Sequence, residues 1–164
     1  MNADRIERQI LLRATPERAW QALCDSKRFG SWFGIAFAGP FIEGGWLTGI
    51  ICPTRVDSEI AKFQQPFAGT PVELTILRIE TLRLLSFRWH PTALEPDFDR
   101  LREPTTLVEF ELRPNPEGVL LSIRESGFDQ FPAQRGERAR RANDAGWEMQ
   151  THLIAKYLKL PDQP

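Results

Sequence analysis

The chain has 164 residues, with 21 Lys and Arg against 22 Asp and Glu, a net charge of −1, and 41% hydrophobic residues. A single domain of this size buries about two-thirds of its unfolded surface and needs neither disulfide nor metal to make a core, and the composition excludes a disordered chain, a collagen and a disulfide scaffold. Eleven Phe and five Trp stand against one Tyr, so a core, groove or cavity lined by rings of large apolar area is expected.

Ile6 to Leu12 mixes alternation with an apolar end and predicts a strand. Thr15-Pro16-Glu17-Arg18 opens a helix. Thr15 can cap it, Pro16 suits its first position, and Arg18 stands where a capping box would have Glu. Ala19, Trp20, Leu23 and Cys24 supply its apolar face, and it ends near Asp25-Ser26. A short second helix or turn covers Lys27 to Phe33. Phe29, Trp32, Phe33, Phe37, Phe41 and Trp46 are interleaved with Gly30, Gly34, Gly39, Pro40, Gly44 and Gly45. That pattern suits a glycine-punctuated flap over something apolar, or rings that cap the core.

Trp46 to Cys52 predicts a strand with Trp46, Thr48, Ile50 and Cys52 on one face. Pro53 to Pro71 is polar and predicts a long loop. Val72 to Glu80 is a strand whose apolar parity shifts between Ile76 and Leu77, which predicts a bulge. Leu84 to His90 is a strand with Leu85, Phe87 and Trp89 together, followed by an acidic loop from Pro91 to Pro104. Thr105 to Arg113 turns Val108, Phe110 and Leu112 inward. Pro114 to Gly118 is a turn, and Val119 to Glu125 completes the hairpin. From Arg135 or Glu137 to Leu160 the period is helical, over about 24 residues and about 36 Å. Trp147, Thr151, Ile154 and Leu158 form its stripe, and Pro161 ends it. Its basic start, Arg135, Arg138, Arg140 and Arg141, is diluted by Glu137 and Asp144. It reads as a solvated first helix turn, with an anion or membrane-surface patch as the alternative, and does not suit nucleic acid.

Consecutive strands joined by turns imply an antiparallel sheet, and helices gathered on one face imply an α+β layer arrangement. The expectation is one domain over residues 1–164: a curved six- to seven-stranded antiparallel sheet gripping a long C-terminal helix, with room for a cavity between them. Two cysteines, Cys24 and Cys52, are too few for a disulfide framework. No charged start leads into an apolar run, and no run reaches membrane length, so a cytoplasmic protein without a membrane span is expected.

Several segments resemble one superfamily in order. They are Ala14-Thr15-Pro16-Glu17-Arg18-Ala19-Trp20, Ser31-Trp32-Phe33, Phe41-Ile42-Glu43-Gly44-Gly45, Leu85-Ser86-Phe87-Arg88-Trp89, Glu125-Ser126-Gly127-Phe128 and Gly146-Trp147. The chain resembles the START-like, birch-pollen-allergen-like helix-grip (SRPBCC) proteins. Within them it resembles most the family named for homologues of the heat-shock-protein-90 ATPase activator. It departs from that pattern at Thr151, where a leucine is usual, at the Glu117-Gly118-Val119 turn, and in the long Pro53–Pro71 loop. The resemblance implies the helix-grip fold more than an activity, since such folds host unrelated functions.

No Gly-x-Ser-x-Gly elbow, P-loop, dinucleotide glycine motif or Cys-x-x-Cys is present, so no catalytic residue, metal or cofactor is assigned. His90 reads as a partly exposed imidazole at a strand end and His152 as outward-facing. Glu125 shares a face with Val119, Leu121 and Ile123 by alternation. It is expected to orient a ligand through one hydrogen bond, unless a bulge at Ser126-Gly127 turns it outward. The candidate ligand-binding set is Trp32, Phe33, Phe37, Trp46, Phe87, Trp89, Glu125, Phe128, Phe131, Trp147 and Thr151; the alternative is that these rings fill the core.

The expected function is to bind, carry or sequester a small hydrophobic or aromatic, lipid- or polyketide-like molecule. One alternative is a cyclase- or hydrolase-type enzyme on an apolar substrate, using Glu125 with His90, Arg55 or Asp129. The other, implied by the family resemblance, is a stress-related co-chaperone with a chaperone partner or a homodimeric state.

Overall fold

Local signals place the first helices. The computed structural model describes residues 4–161. Strand β1 (Arg5–Leu12) is followed by α1 (Pro16–Cys24), whose start is capped by Thr15 Oγ1 accepting from the Arg18 amide at 3.2 Å. Asp25 ends α1 and at once caps α2 (Ser26–Phe33), accepting from the Lys27 and Arg28 amides. Gly34, with φ 102°, closes α2 in the left-handed conformation that glycine adopts without penalty.

Seven strands form one sheet. After β1 come β2 (Ile35–Phe37), β3 (Trp46–Ile51), β4 (Pro71–Glu80), β5 (Leu84–Trp89), β6 (Thr106–Asn115) and β7 (Gly118–Ser126). The spatial order is β1-β7-β6-β5-β4-β3-β2, antiparallel throughout. The expected bulge appears as a register shift in β4 between Ile76 and Arg78. On β6 and β7 the alternation holds: Val108, Phe110, Leu112, Val119, Leu121, Ile123 and Glu125 are buried. The long C-terminal helix, Ala133–Lys159, buries Ala139, Trp147, Gln150, Leu153, Ile154 and Leu158. At 27 residues it is about 40 Å long. Arg18 holds its far end, donating to the carbonyls of Leu158 at 2.9 Å and Leu160 at 3.1 Å, which the helix itself leaves free.

The structure corrects four sequence expectations. The stretch read as a loop from Pro53 to Pro71 contains α3 (Ser58–Gln64) and a 3₁₀ turn (Gln65–Phe67). Asp57 caps α3, accepting from the Glu59 and Ile60 amides at 3.0 Å, but no residue of α3 is buried, so no apolar period marks it. Ile35–Phe37, placed in the flap, pairs with Gly49–Ile51 as an edge strand. The face of β3 carrying Trp46 and Ile50 is outward: they are 61% and 50% exposed, while Leu47, Gly49 and Ile51 face in. On the long helix Thr151 lies off the buried stripe and donates to the Glu148 carbonyl at 2.7 Å; Gln150 takes the inward position.

The basic start of that helix is partly paired. Arg140 and Arg141 both bind Glu137 and hold its carboxyl down at about 2. No helix among the described residues is long and apolar enough to cross a membrane.

Phe29 of α2 is the hub of the ring packing. Its centroid lies 4.9 Å from those of Trp32 and Phe33, 5.6 Å from Phe41, 5.9 Å from Phe110 and 6.0 Å from Phe37. Phe29→Ala should therefore cost about 3–5 kcal/mol in urea unfolding, and Phe29→Leu clearly less. Equal losses for the two would show that the site is not packed as described.

Candidate functional site: a ring-walled cleft held by Glu125

Glu125 ends the apolar face of β7, and the chain continues without turning it outward. Its side chain is fully buried. One oxygen, Oε2, accepts from Trp89 Nε1 at 2.8 Å and Thr106 Oγ1 at 2.6 Å. The other, Oε1, accepts from Trp147 Nε1 at 2.8 Å and Asn143 Nδ2 at 2.9 Å. These donors come from β5, β6 and the long helix, so one carboxylate ties three elements to a fourth. None of the four is ionisable. His90, Arg55 and Asp129, the suggested catalytic partners, are not among them. A carboxylate whose oxygens are already occupied does not serve as the single ligand contact expected of it. Glu125 is a positioning residue for the two indoles.

Those indoles wall a cleft of about 480 Å³ between the sheet and the long helix. Trp89 and Trp147 stack at 5.6 Å and 26°, and Phe33 meets both edge-on at 6.0 and 5.9 Å. Phe87 and Phe110 stand behind, against Trp89 and Trp147. Ile35, Ile51 and Val72 extend the sheet wall, while Ala139, Ala142, Asn143, Gly146 and Gln150 form the helix wall. The α2 end is pinned at the cleft: the Phe33 carbonyl accepts from Gln64 Nε2 at 3.1 Å and Gln150 Nε2 at 3.0 Å.

Two rims bound the opening. One is α3 and the following turn, presenting Phe63 and Phe67, which are 70% and 37% exposed. Asp57 fastens this rim to the long helix through Lys156 at 3.2 Å, with His152 at 3.6 Å. The Ile60 amide first, and the Lys156 ammonium second, hold the Asp57 carboxyl below the ordinary carboxylate range. The other rim is His90 to Pro96, tied down by Arg135, which pairs with Glu95, Asp97 and Glu103.

Of the expected binding residues, Phe33, Trp89 and Trp147 line the cleft. Trp32, Phe87 and Glu125 are buried without lining it; the Trp32 indole donates to the Ala22 carbonyl at 2.8 Å. Phe37 packs on Phe29 and Phe41. Phe128 and Phe131 are buried where β7 passes into the long helix and do not reach the cleft. Trp46 is excluded by its outward face and Thr151 by its position on the helix. Sequence reading missed Gly146, Asn143 and Gln150, and set His90 aside. The helical spacing of Ala139, Asn143, Gly146 and Gln150 was available as a signal, but a stripe scored by bulky apolar residues passes over small and amide side chains.

The comparison with known families settles the lineage. Residues 13–159 match the family described as activator of Hsp90 ATPase homolog 1-like protein. The chain belongs to this family. No curated protein matches it. Solved structures share the fold at low identity. A Mesorhizobium loti protein is 21% identical, with 97% of this chain and 99% of that one covered and a TM-score of 0.70. The Aha1 dimer of Colwellia psychrerythraea is 12% identical, with 97% and 98% covered and a TM-score of 0.66. DynU16, from the dynemicin biosynthetic locus, is 18% identical, with 95% of this chain but 47% of that one covered and a TM-score of 0.67. The activator-homologue family thus accounts for the helix-grip architecture, while the cleft's chemistry is read from its own residues.

Glu125→Gln keeps the shape but turns an amide N–H₂ toward donors. It should cost at least about 2 kcal/mol, because buried donors lose their acceptor. It should also alter the near-ultraviolet circular dichroism of the indoles. Unchanged stability and an unchanged spectrum would show that Glu125 does not hold them.

Proposed function

We propose that the protein binds a small, ring-bearing apolar molecule in this cleft, as a carrier, sequestering protein or sensor. The supporting observation is Gly146. A glycine inside an exposed or half-exposed helix costs about 1 kcal/mol relative to alanine. Here a Cβ on Gly146 would meet nothing within 4 Å, and the residue lines the cleft. The helix forgoes a side chain where one would fill the space. The volume lies within the range of about 300–1,000 Å³ typical of small-molecule sites, and the walls are apolar with a few amides, as such sites are.

Binding is favoured over catalysis by the partners of Glu125, which include no ionisable group. A polyketide- or lipid-like ligand fits the cleft's size and walls, and DynU16 shows the same fold in a biosynthetic locus. A second reading, association with another copy or with a chaperone, rests on Trp46 and Ile50, exposed on the outer face of β3 and outside the cleft. We place the protein in the cytoplasm, where free thiols such as Cys24 and Cys52 remain reduced.

Titration with N-phenyl-1-naphthylamine, an uncharged probe that brightens in apolar surroundings, tests the reading. The parent should bind with micromolar affinity. Gly146→Leu should fold at least as stably, yet bind at least tenfold more weakly. Equal binding by the two, with unfolding midpoints matched, would exclude the cleft as the site.

A further inference from the structure

The polar groups around the cleft are unevenly signed. Among its lining residues none is Lys or Arg, and Glu95 is the one carboxylate. Glu95 shares the Arg135 guanidinium with Asp97 and Glu103, lying 2.9 Å from it and Asp97 3.7 Å. Three carboxylates against one guanidinium leave this rim with two uncompensated negative charges. Of the other cations on this loop, Arg100 is paired with Glu73 and Arg102 with Asp99.

The helix wall holds an acceptor without a donor. Gln150 is 7% exposed, and its Nε2 is committed to the Phe33 carbonyl, which leaves Oε1 buried and unpartnered. On the rim, His90 Nδ1 is also buried without a partner, and it donates or accepts according to tautomer. A buried acceptor without a donor is costly, and a ligand hydroxyl or amine would relieve it. A ligand carboxylate would meet no Lys or Arg, would offer no donor to Gln150, and would lose its hydration on entering apolar walls. A ligand ammonium would meet stacked indole faces, which attract cations.

Resting on the ligand-cleft reading, we infer that the cleft selects uncharged or cationic ring-bearing molecules that carry a hydroxyl or amine, and discriminates against carboxylates, fatty acids included. The ligand's donor would meet Gln150, its ring would lie against Trp89, Trp147 and Phe33, and the rim around Glu95 would repel anions.

Calorimetric titration at neutral pH with four probes of one shape tests this: 2-naphthylmethanol, 2-naphthylmethylammonium, 2-methylnaphthalene and 2-naphthoate. The alcohol and the ammonium should each bind at least tenfold more tightly than 2-naphthoate. Asp97→Lys, a change at a side chain 75% exposed and outside the cleft, should raise 2-naphthoate affinity at least threefold. Gln150→Leu should weaken the alcohol more than 2-methylnaphthalene. Binding of 2-naphthoate as tight as the alcohol by the parent protein would overturn the charge selection and leave the cleft reading standing. Binding of none of the four would overturn the cleft reading and this inference with it. The parent's ranking decides the matter even if a variant fails to fold.

Discussion

A single buried carboxylate organises this molecule. Glu125 accepts from two indoles, an amide and a hydroxyl, and its partners lie on β5, β6 and the long helix. Hydrogen bonds to charged groups are about twice as strong as neutral ones, and inside a protein an unmatched one is costly. The arrangement therefore specifies one seating of the helix on the sheet. A helix held by apolar contacts alone could slide or rotate by small steps; one whose Trp147 and Asn143 must reach the same carboxylate could not. The two rings that form the cleft's stacked wall are the two rings Glu125 holds, so the site's geometry and the fold's registration share one cause.

The remaining features follow from leaving the helix tied at that point and open beside it. Small residues, Ala139, Ala142 and Gly146, face the gap where bulkier ones would close it. The Phe33 carbonyl, at the end of α2, is fixed by two glutamine amides, one from α3 and one from the long helix. Each rim is fastened in part by ions: Asp57 to Lys156 on one side, Arg135 to its three carboxylates on the other. Exposed ion pairs contribute little each, and α3 buries no residue at all. The rigid part of the site is thus the ring wall, and the lightly held part is the rim bearing Phe63 and Phe67.

Much of the fold was legible in the sequence because alternation and helical period report burial directly. β6 and β7 alternate cleanly, the parity slip in β4 marks the bulge, and Thr15-Pro16 marks the first helix. The failures share a physical origin. α3 is a surface helix with no fully buried residue, marked chiefly by its Asp57 cap. β3 carries Trp46 and Ile50 outward, and side-chain size misled the choice of face because its inner face includes Gly49. On the long helix, Thr151 continues the stripe by spacing, yet 3.6-residue geometry admits Gln150 as well, and three-dimensional contacts decide. Parity puts Glu125 on the apolar face of its strand, with an outward-turning bulge at Ser126-Gly127 as the alternative; its partners are remote in sequence, so its role as a support for Trp89 and Trp147 is not legible. Small cleft-lining residues leave only their helical spacing as a signal, because an empty space has no composition.

The most direct test of Glu125 as the support of the ligand-binding wall is the indole N–H region of a ¹⁵N-correlated NMR spectrum, with N-phenyl-1-naphthylamine added stepwise. The Trp89 and Trp147 signals should lie downfield and resist exchange with water, and both should shift as the probe binds; that of Trp46 should exchange quickly and stay in place. Rapid exchange at Trp89 and Trp147, or a probe-induced shift confined to Trp46, would contradict it.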